Sequence, residues 1–153
     1  MNIVVNESFT YSSVRVMDNC IFCKVISWQL PSYCIYQDDD VYCFLDINPA
    51  NKGHILIVPK THIATIFDAE DQILASIIRA TKKMALIVKK VLWVEDINIV
   101  QANWELAGQE IWHLHFHVMP RVKDDDVTFS YKINALAKES LQDTHTILTN
   151  HHD

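Results

Sequence analysis

Glycine is almost missing from this chain: of 153 residues, only Gly53 and Gly108 lack a side chain. Long apolar runs are missing too. No window approaches the roughly 18 uninterrupted apolar residues of a membrane-crossing helix, so no span is expected. Residues 1–18 have neither the basic start nor the long apolar run of a secretion signal. The four cysteines, Cys20, Cys23, Cys34 and Cys43, are therefore expected as reduced thiols or metal ligands of a cytoplasmic protein rather than as a disulfide frame. An excess of positive charge is also lacking. Thirteen Lys and Arg stand against 19 Asp and Glu, for a net charge of −6 and a pI near 5.7. That balance argues against non-specific nucleic-acid binding through the field of the whole protein. No repeat or linker interrupts the chain.

What is present suits a single domain. Half of the residues are hydrophobic and the mean hydropathy is +0.05; a chain of this length buries about 68–70% of its unfolded surface. The plainest element is a long helix from Asp68 or Asp71 to about Trp93. Ile73, Leu74, Ile77, Ile78, Met84, Ala85, Val88, Val91 and Leu92 make its apolar stripe. Acids at its start and Lys89-Lys90 near its end suit the helix dipole. Strands are expected at Tyr33–Gln37, Val41–Leu45, His54–Val58 and Asp96–Ala102, with Asp38-Asp39-Asp40 as a turn. A short helix over Cys20–Ile26, capped from Asp18-Asn19, would put Cys20 and Cys23 on one face. A second short helix is expected around Ile133–Leu141. Residues 1–18 read as an N-terminal extension, 19–143 as the domain and 144–153 as a disordered tail carrying exposed histidines. Asp124-Asp125-Asp126 reads as a solvated turn. Strands joined by turns, with one long helix crossing over, predict an α+β fold with a mainly antiparallel sheet.

The chemistry concentrates between Asn103 and Arg121. His113, His115 and His117 alternate with Leu114, Phe116 and Val118, the period-2 pattern of a strand with a histidine face and a core face. Same-face residues stand roughly 6.5–7 Å apart along a strand. Three in a row surround a single metal poorly and line a phosphate or oxyanion more naturally, although a metal-binding H-x-H strand is the open alternative. Gly108, just upstream, permits a sharp loop and a close ligand approach. Cys20-x-x-Cys23 is a redox pair or half of a zinc site. The first needs a buried strand ahead of it, which residues 1–18 do not offer, and the second needs two further ligands.

The run HLHFHVM, with Ala107-Gly108-Gln109 before it and Pro120-Arg121 after it, resembles the signature of the histidine-triad (HIT) nucleotide hydrolases and transferases. The resemblance covers roughly Asn19 to Arg121. It implies a five-stranded, mainly antiparallel sheet carrying one long helix and shorter ones, and a homodimer. It also implies a covalent nucleotidyl-histidine on His115, flanked by His117 and His113. Gln109 and Asn103 would bind phosphate or leaving group, with backbone N–H groups near Gly108 completing an oxyanion site. Asp46 would take the ribose hydroxyls, and Ile21, Phe22, Phe44 and Ile47 the base. His54 would lie near the site, or else be a satisfied core histidine. In one branch of the family Cys20 and Cys23 would be joined by His62 and His113 around a structural Zn²⁺. The implied activity is hydrolysis at the α-phosphate of purine nucleoside phosphoramidates or related conjugates. Dinucleoside polyphosphate hydrolysis is the alternative, and a nucleotide-binding scaffold with vestigial activity is the non-enzymatic one. Two residues depart from the pattern. Trp104 stands where the family usually has glycine, and Glu110 where some nucleoside phosphoramidases have serine. Both bear on the leaving group.

Overall fold

The alternation read in the strands becomes the partition of the molecule into two layers. In a computed structural model, residues 19–130 and 132–150 are described; the expected N-terminal extension lies outside them. Helix α1 (Ile21–Ile26) is followed by β1 (Cys34–Gln37), β2 (Val41–Leu45) and β3 (Ile55–Pro59). The long helix α2 (Asp71–Leu92) crosses to β4 (Ile97–Gln101), and β5 (Phe116–Pro120) returns into the sheet. Two short helices, α3 (Ala135–Glu139) and α4 (Leu141–Thr149), end the described chain. The five strands run β1-β2-β3-β5-β4, every neighbouring pair antiparallel.

Because side chains alternate across a strand, each strand feeds two cores. Val41, Cys43, Ile55, Ile57, Phe116 and Val118 pack with Ile77, Met84 and Val88 of α2. Tyr42, Phe44, Leu56 and Val58 point the other way, onto Phe22 and Val25 of α1. The register Leu56↔His117 sets His117 on the α1 side of the sheet. The histidine face is thus the face that α2 leaves free.

Several expectations are corrected. The histidine strand is short. Only His117 lies within β5, while His113 sits in a bend and His115 in the short segment between that bend and the strand. The segment from Asn103 to Glu110 holds a single 3-10 turn, Glu105–Ala107. The α2 stripe does not hold all its members. Ile77 is buried but Ile78, about 100° around the helix from it, is largely exposed, because such neighbours cannot share a narrow contact line. Val91, near the helix end, is largely exposed too. Residue Cys20, in extended backbone, is the N-cap of α1 and makes no side-chain cap. The short helix expected over Ile133–Leu141 is two helices broken at Ser140, and helix continues to Thr149 through most of the supposed tail. Asp125 is no solvated turn residue: Arg121 grips both its carboxylate oxygens, at 2.6 and 2.8 Å. That pairing holds its carboxyl well below the usual carboxylate range.

Glycine scarcity shows in the backbone. Six described residues adopt left-handed φ, and four of them, Trp28, Trp93, Trp104 and Asp124, are not glycine. At Gly53 the choice is forced twice, by φ of +88° and because a Cβ would stand 2.3 Å from Leu92 Cδ1.

Candidate active site and metal centre

Each triad histidine is held by a carbonyl or a second ring, and each hold fixes where its proton sits. Nδ1 of His115 lies 2.7 Å from the carbonyl oxygen of His113. A carbonyl only accepts, so Nδ1 carries the hydrogen and Nε2 keeps a lone pair. His115 is buried, and burial pulls its pKa below the ordinary value, so the ring is neutral. That is the protonation state of a nucleophile.

His117 is set by His54. The backbone N–H of Ala50 donates to His54 Nδ1 at 3.1 Å, which leaves the His54 proton on Nε2. That nitrogen is 2.8 Å from His117 Nδ1. His54 therefore donates, and neutral His117 carries its own proton on Nε2. Burial, then the neighbouring His115 and His54, pull His117 down to about 4. Asp46 Oδ2 stands 3.6 Å from His54 Nδ1 as a nearby counter-charge. His54 is thus no inert core histidine; it reaches the triad through His117.

His115 and His117 open into a cavity of about 790 Å³. Ile21, Phe22, Phe44, Asp46 and Ile47, all singled out in the sequence, line it together with Leu56, Gly108, Glu110 and Ile111. Phe22 meets the His115 ring edge-on at 5.4 Å. Asp46 accepts the Asn48 N–H with Oδ1, which leaves lone pairs for a further donor. The segment Leu30–Tyr33 also forms wall. No periodicity marks it, and only the fold carries it there.

Gln109 and Asn103 do not face this cavity as expected. Gln109 is buried; its amide gives one hydrogen to the Ala64 carbonyl and one to that of Ile111, and its oxygen takes the Trp104 N–H. An amide has two hydrogens, so none remains for a phosphate. Asn103 binds the Ile66 N–H through its oxygen and Gln101 through its nitrogen. Both side chains tie the loop that carries Gly108 and Glu110 to the body of the protein.

His113 turns away from the cavity to a different cluster. Its Nε2–H donates to the Pro59 carbonyl at 2.8 Å, leaving the Nδ1 lone pair facing Cys20 Sγ at 3.4 Å and Cys23 Sγ at 3.6 Å. Cys23 Sγ is 3.3 Å from His62 Nδ1, and all four ligand atoms lie within 4.8 Å of one another. Zinc with Zn–S of about 2.3 Å and Zn–N of about 2.0–2.1 Å has tetrahedral S···N edges of about 3.6 Å. The cluster fits that ion. Burial, followed by hydrogen bonding and charge from Cys20, pushes the Cys23 thiol up to about 12. A pair of thiolates here calls for a cation between them.

Residues 27–124 match the HIT domain family. An uncharacterized HIT-like protein of Methanocaldococcus jannaschii is 45% identical over 106 residues, covering 69% of this chain and 81% of its own. Adenosine 5'-monophosphoramidase HNT1 of Saccharomyces cerevisiae is 38% identical over 67% of this chain and 62% of its own. Adenylylsulfatase HINT3 of Arabidopsis thaliana is 33% identical over 74% and 57%. Among solved structures, a HIT family member from Bacillus subtilis superposes with a TM-score of 0.82 at 33% identity, over 88% of this chain and 98% of its own. A zinc-bound histidine triad protein from Mycobacterium smegmatis superposes at 0.69 with 27% identity, over 86% and 99%.

Proposed function

The chain belongs to the HIT domain family, and from that premise we propose that it hydrolyses nucleoside phosphoramidates or related conjugates at the α-phosphate, through a nucleotidyl-histidine on His115. The observation that carries this reading is the His115–His113 contact, which leaves Nε2 unprotonated within the wall of the cavity. A pure binding site has no need of such a group. The monophosphoramidase HNT1 supports the substrate class.

In the first half-reaction His115 Nε2 attacks the α-phosphorus, and the phosphorus–nitrogen bond to the leaving amine breaks. The amine needs one proton as it departs. The bound phosphate anion offsets the burial that keeps the free His54–His117 pair neutral, so the pair takes up an extra proton, with Asp46 as counter-charge. His117 delivers it. In the second half-reaction water attacks the same phosphorus, His117 takes one proton from that water, and the bond to His115 breaks. Both histidines return to their starting states. Asp46 accepts from the ribose hydroxyls, and the apolar wall of Ile21, Phe22, Phe44 and Ile47 holds a purine base.

Cys20, Cys23, His62 and His113 would hold Zn²⁺, which would supply structural closure: with no open coordination position it pins α1 to the catalytic segment. The zinc-bound Mycobacterium smegmatis structure supports this reading. Pairing of two chains is part of the proposal, and β4, an edge of the sheet with Ile99 half exposed, supports it.

Acid-quenched mass spectrometry after incubation with an adenosine phosphoramidate tests the chemistry. The nucleotidyl mass shift is expected on His115, and His115→Ala should lower turnover by about a thousandfold or more. An adduct on His113 or His117 refutes the assignment.

A further inference from the structure

Among the described residues, no lysine or arginine lines the cavity that holds His115 and His117, and the charged wall groups are two carboxylates, Asp46 and Glu110. The cations of α2 lie elsewhere. Arg79, Lys82, Lys83 and Lys90 surround two smaller depressions, of about 310 and 380 Å³, that share no wall residue with it. Nor do the histidines supply standing positive charge, since burial keeps both neutral in the free protein. A site that expels a polyphosphate or sulfate gains from fixed cations that meet the charge developing on the leaving group. This one has a carboxylate.

Resting on the phosphoramidate reading above, we propose that Glu110 is the leaving-group specificity residue: it favours amines that carry a second, positive charge and rejects leaving groups bearing phosphate, sulfate or carboxylate. Position supports it. With the ribose at Asp46 and the base at Phe22 and Phe44, the one charged side chain left on the described wall for the leaving group is Glu110, between Gly108 and Ile111. Glu110 is exposed and enters no ion pair or side-chain hydrogen bond among the described residues. Its backbone is nonetheless well anchored. The preceding residue, Gln109, is bonded to Ala64, Ile111 and Trp104. A carboxylate without a partner among the described residues, on a tied loop in the wall of the cavity that holds His115, is a ready receptor for an ammonium or guanidinium group.

The test uses three adenosine phosphoramidates of matched length, made from 1,4-diaminobutane, butylamine and 4-aminobutanoate. Their leaving groups are cationic, neutral and anionic. Within the native protein, kcat/KM should fall in that order, with about tenfold or more between the ends, the scale of one charge pair turned from attraction to repulsion near a surface. Glu110→Gln should bring the three within about twofold of one another, and Glu110→Lys should invert the order. Each enzyme is judged on its own ratios, so a general loss of activity does not disturb the reading. A flat native series, or an order that survives Glu110→Gln, overturns the proposal while leaving the hydrolase reading intact. If none of the three is cleaved and His115 is never labelled, both fall together.

Discussion

His54 Nε2 stands 2.8 Å from His117 Nδ1, and because Ala50 N–H occupies the other nitrogen of His54, the proton between the two rings belongs to His54. A residue 63 positions upstream thereby sets the tautomer of the triad's last histidine. His54→Phe keeps an aromatic ring of similar size and removes the donor. The expected result is a kcat lowered by about a hundredfold or more with KM changed less, since a positioned proton donor contributes about 10²–10⁴-fold. Equal losses in both constants would mean that His54 serves packing alone.

The same pair predicts a pH dependence of stability. His117 is pulled down to about 4 in the folded protein, whereas in an unfolded chain a histidine titrates near 6.5. Between about pH 6.5 and 4 the unfolded state therefore binds more protons, and stability falls as pH falls through that window. Thermal melts from pH 7.5 to 4 should show Tm declining below about 6.5, with a shallower decline in His117→Gln. Parallel slopes for the two proteins would exclude His117 as the source.

Metal should be read out as stability. Protein purified without a histidine tag is expected to hold close to one equivalent of zinc, with two Zn–S distances near 2.3 Å and two Zn–N distances near 2.0–2.1 Å by X-ray absorption. Chelation or Cys20→Ser should lower Tm, because the site is assembled only by folding. Turnover at His115 should slow without vanishing. Less than a tenth of an equivalent, with no thermal shift on adding zinc under reducing conditions, would leave Cys20 and Cys23 as plain thiols.

Asp46 lines the cavity with one carboxylate oxygen bonded to Asn48 N–H and the other turned toward His54. Asp46→Ala should raise KM more than it lowers kcat for ribonucleotide substrates, and raise it much less for 2′-deoxy analogues. An equal loss on both would remove Asp46 from ribose recognition and leave it the counter-charge beside His54.

Trp104 adopts φ +72° and ψ 163°, a region that essentially only glycine occupies without strain. Its indole meets Trp112 edge-on at 5.3 Å. Such backbone strain costs about 1–3 kcal/mol, against about 0.5–1.5 kcal/mol for an aromatic pair. Trp104→Gly should therefore hold or raise Tm, whereas Trp104→Ala, which keeps the strain and loses the ring, should lower it. If both variants lose stability alike, the indole contact outweighs the backbone.

Local pattern alone determined a good deal of this protein. The α2 periodicity, the paired apolar strands and the HLHFHVM alternation announced the fold, because periods of 3.6 and 2 sort side chains between core and solvent before any long-range contact forms. Cys20-x-x-Cys23 was legible as half of a candidate metal site from its residue types. His62 and His113 joined it only through the family resemblance, and the fold brings all four ligand atoms within 4.8 Å of one another. Tertiary structure decided what the spacing left open. It separated His113 from His115 and His117, sending one toward the cysteines and the others into a cavity, because the chain enters β5 only at Phe116. It spent the Gln109 amide on Ala64, a carbonyl 45 residues away. It brought Leu30–Tyr33 to the cavity wall and His54 to His117, contacts with no periodic trace, since a hydrogen bond depends on where two segments meet in space. The scarcity of glycine was plain from the start, but which tryptophans would take left-handed backbone in its place depended on where the folded chain had to turn.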